Sequence, residues 1–378
     1  MKHFPVKFLF TFGIVLLLSQ VILAKEKPLF IAAKNSGFSY IGRVAINNGT
    51  ATYNWPGVTV TTKFSGNMLG IALKGGTKNY FNIRIDNQKA QVIHPVNDTI
   101  WWYPGQLSSG EHKLCIIKRT EGEMGMVEFR GIYIEEGRKI EKVTLPTKKI
   151  LFIGNSITCG YGDEGKSKTD HFKPSTENCE KSYALIVSRA FNTQYQLISH
   201  SGLGMVRNYG DKDKLSVTRK TMPKRITYLF DEDSVHQYNL QNYIPDAIVI
   251  NLGTNDYSTL PHPDSAVFVS TGIKLINRLL NAYPKAKIFC ITGPMIDEPC
   301  FSNTEKMVKS VDAARNTDQV YFIGLPRNLL NQPGDFGADS HPSYRGHIKS
   351  AEIILPIMGK AMKWHYSSHE IRKYLSSK

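Results

Sequence analysis

The stretch ILFIGNSITCGYG, residues 150–162, combines a short apolar strand with a loop that is rich in glycine. Consecutive apolar residues without alternation are typical of a strand that is covered on both faces, as strands of parallel sheets are. The remainder of the chain alternates between apolar runs and helical segments. Further strands are predicted at residues 195–199, 247–252, 287–292 and 320–323. We therefore predict that residues 150–378 form a three-layer α/β/α domain with a mainly parallel sheet.

Before this strand, the sequence pattern indicates β structure alone. Residues 25–137 contain short runs rich in Val, Ile, Tyr and Phe, divided by turn-forming residues such as Asn47-Asn48-Gly49 and Gly75-Gly76. Evenly spaced runs of this kind predict an antiparallel β-sandwich with a jelly-roll-like arrangement. The charged segment 138–149, which contains Pro146, is predicted to be a linker. The length of 378 residues, 41 % of them hydrophobic, fits two domains with cores of their own.

The N-terminus has the layout of a secretory signal peptide. Lys2 and Lys7 provide a positive start, residues 8–23 are almost wholly apolar, and Ala24 is a small residue before charged ones. We predict cleavage after Ala24, and therefore a secreted or periplasmic protein with no stable membrane insertion after cleavage. The alternative is an uncleaved N-terminal anchor, because the apolar run is close to the minimum length for a membrane span.

The formal net charge of +15 raises the question of an anionic partner. Basic residues are interspersed with acidic ones, as in the stretch DKDK at residues 211–214, and no helical segment carries a basic stripe. We therefore predict a solvated basic surface and no nucleic-acid partner. Five cysteines in an exported chain allow up to two disulfides, of which Cys159–Cys179 is one possibility. The sequence has no HExxH motif, Cys/His metal spacing or dinucleotide fingerprint, so we predict no metal and no cofactor.

Four turns that contain small residues carry the candidate chemistry. They contain Ser156 after the first apolar strand, Gly202 after the second, Asn255 after the third, and His341 before the last helix. The carboxyl ends of parallel strands meet at one edge of a sheet, so these residues can converge. A serine, a histidine base and neutral hydrogen-bond donors are the parts of a nucleophilic acyl transfer. Each turn taken alone also fits a structural role, such as a helix cap, an Asx-turn or a surface histidine.

The order Ser, Gly, Asn and His resembles the SGNH (GDSL-type) hydrolase superfamily, whose four sequence blocks contain those residues. In this chain the blocks are GNSITCGYG, HSGLG, NLGTND and DSHPS, with Asn155 where the superfamily usually has Asp. A β-sandwich followed by such a domain resembles the carbohydrate esterase family 2 deacetylases, as do the GTNDYS motif and the strand at residues 80–86. The resemblance implies an SGNH/flavodoxin-like fold and an acetylxylan-esterase-like enzyme that removes O-acetyl groups from plant polysaccharides such as xylan or glucomannan.

The resemblance also implies the roles of the four residues. Ser156 is expected to be the nucleophile and His341 its base, and the oxyanion hole is expected to consist of the amides of Ser156 and Gly202 and the side chain of Asn255. Two other classes of function stay open. One is an SGNH esterase or lipase for small or lipid esters, and the other is a non-catalytic carbohydrate-binding protein. The sequence leaves the oligomeric state undecided.

The chain departs from the superfamily at the acid that usually orients the histidine. That acid normally stands three residues before the histidine, where this chain has Ala338, and the nearest acid is Asp339, two residues before His341. Either the Asp339 carboxylate or a main-chain carbonyl orients His341. Tyr161 and Tyr257 lie close in sequence to proposed site residues and are candidates for stacking on sugar rings.

Overall fold

The computed structural model describes residues 27–376. The predicted signal peptide, residues 1–24, lies outside the described residues. Within residues 27–376, no helix combines the length and the apolar character that are needed to cross a bilayer. All five cysteines of the sequence are free thiols, so neither of the disulfides that their number allows is present.

The first part of the chain forms two six-stranded antiparallel sheets that pack as a sandwich. Its strands are β1 (Pro28–Ala32), β2 (Ser39–Ile41), β3 (Ala45–Asn47), β4 (Thr50–Tyr53), β5 (Thr59–Ser65), β6 (Gly70–Lys74), β7 (Phe81–Ile85), β8 (Gln91–Ile93), β9 (Asp98–Trp102), β10 (Glu111–Lys118), β11 (Val127–Glu135) and β12 (Ile140–Glu141). One sheet has the order β3-β4-β11-β6-β9, with β1 also paired to β11. The other has the order β12-β5-β10-β7-β8, with β2 also paired to β5.

Strand β11 shows how the sequence pattern produces the buried face of a sheet. Val127 and Phe129 point into the core, and so do Ile132 and Ile134, so the alternation slips by one residue between the two pairs. The slip is a β-bulge, at which the pairing with β6 changes register. Gly131 follows this bulge at φ +143°, and a Cβ there would lie 2.0 Å from a main-chain carbonyl oxygen of β1, so only glycine fits.

The second part of the chain forms a five-stranded parallel sheet with helices on both faces. Its elements are β13 (Lys149–Gly154), α1 (Ser156–Cys159), α2 (Tyr183–Phe191), β14 (Gln194–Ser199), α3 (Met222–Arg225), β15 (Ala247–Asn251), α4 (Thr254–Tyr257), α5 (Ser265–Ala282), β16 (Lys287–Thr292), α6 (Cys300–Arg315), β17 (Val320–Gly324), α7 (Tyr344–Met362) and α8 (His369–Ser376). The strand order is β14-β13-β15-β16-β17. In β13, Ile150 and Phe152 pack with α2 and α7, whereas Leu151 and Ile153 pack with α5 and α6. The predicted fold, an antiparallel sandwich followed by a three-layer α/β/α domain, is confirmed.

The segment between the two sheet systems is partly structured. Residues Ile140 and Glu141, within the predicted linker 138–149, pair with Phe64 and Lys63 as the last strand of the sandwich. The parallel sheet then starts at Lys149. The chain therefore has only a few residues of connection between one sheet and the next, which keeps the sandwich and the α/β domain close together.

The register places the carboxyl ends of the adjacent strands β14, β13 and β15 level with one another. Gly154 at the end of β13 pairs with Ser199 at the end of β14 and with Asn251 at the end of β15. The loops that follow these strands therefore leave the sheet at the same edge, as expected for a parallel sheet with a site at its carboxyl ends.

A buried arginine of the sandwich joins it to the α/β domain. Arg43 is only 1 % exposed, and its guanidinium donates hydrogen bonds to the carbonyl oxygens of Ile226, at 2.8 Å, and of Tyr228. The guanidinium also lies 4.2 Å from the centre of the Tyr238 ring. Trp55 adds a hydrogen bond from its indole N–H to a carbonyl of the same segment at 3.0 Å.

We expect Arg43→Met to lower the free energy of unfolding by about 1–3 kcal/mol, because two buried carbonyl groups would lose their donor. Urea denaturation measures the change. The matched control is Arg130→Met, which removes an arginine that forms surface ion pairs with Asp98 and Glu128 and should cost less than about 1 kcal/mol. Equal midpoints for the wild type and Arg43→Met would contradict the assignment of Arg43 to the interface.

Candidate active site

Ser156 is the first residue of α1 and comes almost directly after β13. Asn155 is the N-cap of α1, and its side-chain oxygen accepts a hydrogen bond from the Ile157 amide at 3.1 Å. Gly154 allows strand and helix to approach closely, because a Cβ at this position would lie 2.0 Å from Thr158 Oγ1. This short helix holds Ser156 at the carboxyl edge of the sheet, with 6 % of its surface exposed.

His341 approaches Ser156 from the turn before α7. Its Nε2 lies 2.9 Å from Ser156 Oγ, and its Nδ1 lies 3.2 Å from the main-chain carbonyl oxygen of Asp339. A carbonyl oxygen can only accept, so the contact favours the tautomer with the proton on Nδ1 and the Nε2 lone pair facing the serine. Burial lowers the pKa of His341 to about 4, so the ring is neutral at pH 7.

Two loops bring Ser156 and His341 together, although the residues are 185 positions apart in the chain. The Ala338 amide donates to the Gly162 carbonyl oxygen at 2.9 Å. Glycine is needed on both sides of this contact. A Cβ on Gly162 would lie 2.6 Å from the Ala338 Cβ, and a Cβ on Gly337 would lie 2.1 Å from the Gly162 carbonyl oxygen.

The Asp339 carboxylate faces away from the imidazole that the sequence suggested it could orient. It accepts hydrogen bonds from the Phe172 amide at 3.0 Å and the Tyr161 hydroxyl at 3.1 Å, and one oxygen lies 3.3 Å from His171 Nδ1. Asp339 has a left-handed backbone, with φ 48° and ψ 40°, and this conformation turns its side chain outward while its carbonyl points at His341. The main-chain carbonyl of Asp339, and not its carboxylate, is therefore the group that contacts the His341 ring.

Asn255 and Gly202 lie on neighbouring loops at the same edge of the sheet. Asn255 belongs to α4, after β15, and one of its two amide hydrogens is donated to the Leu203 carbonyl oxygen at 2.8 Å. Gly202 stands one residue earlier in the loop that follows β14, with φ +76°. The hydrogen bond thus connects Asn255 to the residue that follows Gly202, and it leaves Asn255 a second hydrogen to donate.

Asp256 organises the same loop and was not singled out by the sequence reasoning. Its buried carboxylate accepts hydrogen bonds from the amides of Met205, Val206 and Arg207, at 2.8, 2.7 and 2.9 Å. Burial outweighs these hydrogen bonds and raises the pKa of Asp256 to about 6. Its position directly after Asn255 in the NLGTND block is the signal from which its importance could have been inferred.

Known families and structures match both parts of the chain. Residues 40–143 match the family described as Carbohydrate esterase 2 N-terminal, and residues 152–348 match the GDSL-like Lipase/Acylhydrolase family. A solved family two carbohydrate esterase from Clostridium thermocellum, in complex with cellohexaose, is 31 % identical, with a TM-score of 0.78, and the match covers 87 % of this chain and 100 % of that one. The chain belongs to carbohydrate esterase family 2.

Two curated relatives differ in how much of their length this family 2 esterase covers. The cellulase/esterase CelE of Acetivibrio thermocellus is 33 % identical over 341 residues, which are 87 % of this chain but only 40 % of CelE. An acetylxylan esterase / glucomannan deacetylase of Cellvibrio japonicus is 26 % identical over 344 residues, which are 88 % of this chain and 91 % of that protein.

The two tyrosines predicted to contact sugar have different surroundings in this esterase. Tyr161 is half-buried beside the site, with its ring centre 4.3 Å from that of His341 and 4.0 Å from that of Phe172, on which it stacks. Tyr257 is only 3 % exposed, and its hydroxyl accepts a hydrogen bond from Asn303 Nδ2 at 2.9 Å. The prediction for Tyr257 is therefore wrong, because a ring buried in the core has no face free for a sugar.

The sandwich contributes charged groups to the loop that carries Gly202. Glu121 Oε2 accepts a hydrogen bond from the Ser201 amide at 2.6 Å. His200 is buried between the carboxylates of Asp231 and Glu123. Burial alone would lower the pKa of His200, but the hydrogen bonds and charges of these two acids raise it to about 9. No local sequence pattern identifies Glu121 as a residue near the site, because its connection to the site is a contact with a loop of the other domain.

One group of buried side chains has the composition of a metal site. Among the described residues, Glu121, Cys159 and Glu177 are the group whose potential ligand atoms converge, all within 4.8 Å of one another. Hydrogen bonds already occupy part of the group. Glu121 Oε2 accepts from the Ser201 amide, and Glu177 Oε2 accepts from the Glu121 amide at 3.2 Å. We assign these side chains to hydrogen bonding between the domains.

We expect Tyr257→Phe to leave the KM for acetylated polysaccharide within about twofold of the wild type, because the ring is buried. The same change should lower the free energy of unfolding by about 1 kcal/mol, since Asn303 loses a hydrogen-bond partner. Steady-state kinetics and urea denaturation measure the two effects. A large increase in KM without loss of stability would contradict the structural role of Tyr257.

Proposed function

We propose that this chain is a secreted serine esterase that removes O-acetyl groups from plant polysaccharides such as xylan or glucomannan. The observation that carries the proposal is the 2.9 Å contact between Ser156 Oγ and His341 Nε2 at the carboxyl edge of the parallel sheet. The relatives support the substrate class, since the Cellvibrio japonicus protein is named for acetylxylan and glucomannan and the Clostridium thermocellum structure holds cellohexaose. The predicted signal peptide, residues 1–24, supports secretion.

In the proposed mechanism, Ser156 Oγ attacks the ester carbonyl while His341 Nε2 takes its proton. The lowered pKa of His341 keeps the ring neutral and able to accept at pH 7. The carbonyl oxygen of Asp339 holds the Nδ1 proton and fixes the ring. The imidazolium then donates its Nε2 proton to the departing sugar hydroxyl. Water, deprotonated by the same nitrogen, attacks the acyl carbon. The bond to Ser156 Oγ then breaks, His341 returns the proton to Ser156, and acetate is released.

The negative charge that develops on the carbonyl oxygen is assigned to three neutral donors: the amides of Ser156 and Gly202 and the second Nδ2 hydrogen of Asn255. Neutral donors that are already in place stabilise such a charge without reorganisation, and removing one typically costs about 10²–10³ in turnover. Phe172 and His341 lie against the Tyr161 ring, so we assign Tyr161 to contact the sugar beside the ester through the part of its side chain that stays exposed, and not by stacking.

We expect protein without residues 1–24 to release acetate from acetylated xylan or glucomannan, and Ser156→Ala to lower this turnover by about 10³-fold or more. An acetate assay measures both. Ser270→Ala, which changes an exposed serine of α5, is the control and should retain full activity. If the wild type cleaves an aryl acetate but releases no acetate from polysaccharide, the substrate class is contradicted. Faster cleavage of octanoyl than of acetyl esters would favour the lipase alternative.

A second prediction concerns the orientation of His341. We expect Asp339→Asn to lower kcat by less than about tenfold, because the main-chain carbonyl that contacts His341 is retained and Asn tolerates the left-handed backbone. The same change in a Ser-His-Asp triad costs about 10⁴-fold. Measurement of kcat on an aryl acetate decides whether the carbonyl or the carboxylate of Asp339 orients His341. A loss of about 10³-fold or more would assign this role to the carboxylate.

A further inference from the structure

The loop at residues 200–208 carries Gly202, and its later part is held by the α/β domain. Asn255 Nδ2 donates to the Leu203 carbonyl oxygen, and the Asp256 carboxylate accepts from the amides of residues 205–207. These contacts all lie after Gly202. Two main-chain hydrogen bonds also flank Gly202: the Leu203 amide donates to the His200 carbonyl oxygen at 3.4 Å, which closes a turn, and the Tyr209 amide donates to the Gly202 carbonyl oxygen at 2.8 Å. Neither involves the peptide unit between Ser201 and Gly202, the central one of the turn, which carries the Gly202 N–H and whose orientation differs between the common turn types.

The residue before Gly202 is anchored by the sandwich. The Ser201 amide donates to Glu121 Oε2 at 2.6 Å, and the Ser201 side chain also faces this carboxyl group and lowers its pKa. Glu121 is therefore the polar partner that the described part of the chain provides for Ser201. Glu121 lies just after β10, so the anchor belongs to a different domain from the loop that it holds.

Glu121 is itself fixed in place. It is fully buried, and its own amide donates to Glu177 Oε2 at 3.2 Å. Cys159 Sγ lies 3.6 Å from Glu121 Oε2 as a second, weaker donor, and Glu121 Oε1 has no hydrogen-bond partner among the described residues. A carboxylate held in this way presents one oxygen to Ser201 at a defined point.

We propose that Glu121 is a positioning residue of the esterase: by accepting the hydrogen bond of the Ser201 amide, it directs the Gly202 N–H into the oxyanion hole. The inference rests on the proposed function, because it assigns Gly202 to that hole. It makes the sandwich a part of the catalytic apparatus rather than an appended module.

Gly202 needs an anchor because the backbone of glycine has more conformational freedom than that of any other residue. Gly202 has φ +76°, a region that glycine enters without a steric penalty and can also leave easily. If Ser201 lost its anchor, the peptide unit between Ser201 and Gly202 could rotate, and the N–H would move away from the oxyanion. A misplacement of about 1 Å in a catalytic group costs about 100-fold in rate.

A neutral side chain should be able to perform this role. Burial raises the pKa of Glu121, because the charged form is costly in this environment. The amide oxygen of glutamine accepts a hydrogen bond as the carboxyl oxygen does, and the two side chains have nearly the same shape. Leucine has a similar size and no acceptor.

The test compares Glu121→Leu and Glu121→Gln in the full mature protein, with an aryl acetate as substrate. We expect Glu121→Leu to lower kcat by about 10- to 100-fold, with KM within about twofold. Glu121→Gln should retain kcat within about threefold, because it still accepts from Ser201. Glu121→Asp withdraws the acceptor by one methylene while it keeps the acid. It should lower kcat about tenfold, and it stands in for Glu121→Leu if that variant does not fold.

The matched control is Arg43→Met, which weakens the interface between the domains at the carbonyl groups of Ile226 and Tyr228, outside the 200–208 loop. We expect this variant to lose stability and to keep its kcat. The proposal is overturned if folded Glu121→Leu, or Glu121→Asp in its place, keeps kcat within about threefold of the wild type. It is also overturned if Glu121→Gln lowers kcat as much as Glu121→Leu does, or if Arg43→Met lowers kcat to the same extent. A wild type whose ester cleavage does not depend on Ser156 would overturn the proposed function itself, and that failure appears before any Glu121 variant is made.

Discussion

The backbone contact between Gly162 and Ala338 is the constraint on which the candidate site depends. The Ala338 amide donates to the Gly162 carbonyl oxygen, and the approach is so close that neither Gly162 nor Gly337 has room for a side chain. This contact places the turn before α7 against the loop after α1. The 2.9 Å separation of Ser156 and His341 follows from it, because Ser156 lies in α1, just before that loop, and His341 lies in that turn. Any change that separates the two backbones would also separate the two side chains.

The second constraint is that the site is built by both domains. The loop with Gly202 is held after the glycine by Asn255 and Asp256 and before it by Glu121 from the sandwich. Buried polar contacts such as these are costly to break, since each leaves an unsatisfied group in a low-dielectric interior. The sandwich therefore stabilises the geometry of the loop that it touches, as well as burying apolar surface of its own.

The two histidines near the site, His341 and His200, differ in pKa and therefore in protonation state at pH 7. Among the described residues no carboxylate contacts the His341 ring, and burial lowers its pKa to about 4, which fits the role of base that we propose for it. His200 lies between Asp231 and Glu123, which favour its charged form, so it can anchor the loop but is unsuited to accept a proton. The same side chain is thus neutral in one place, where burial lowers its pKa, and charged in another, where neighbouring carboxylates raise it.

The sequence alone determined the fold class, and it predicted four residues for the candidate site. The local sequence pattern predicts short strands in the first part of the chain and alternating strands and helices in the second. The same pattern marks the strand ends and the helix start at which the site residues stand: Ser156, Gly202, Asn255 and His341. Only the tertiary structure decided that the Asp339 carbonyl rather than its carboxylate meets His341, because a left-handed backbone turns the side chain away.

Burial and contacts between domains were also decided by the tertiary structure alone. Tyr257 stands close in sequence to the site, yet the helices around it enclose its ring. Glu121 has no local signal, and its hydrogen bond to Ser201 spans 80 residues of sequence. Side-chain direction and long-range partners depend on how separate segments pack against one another, and a local pattern holds no information about that packing.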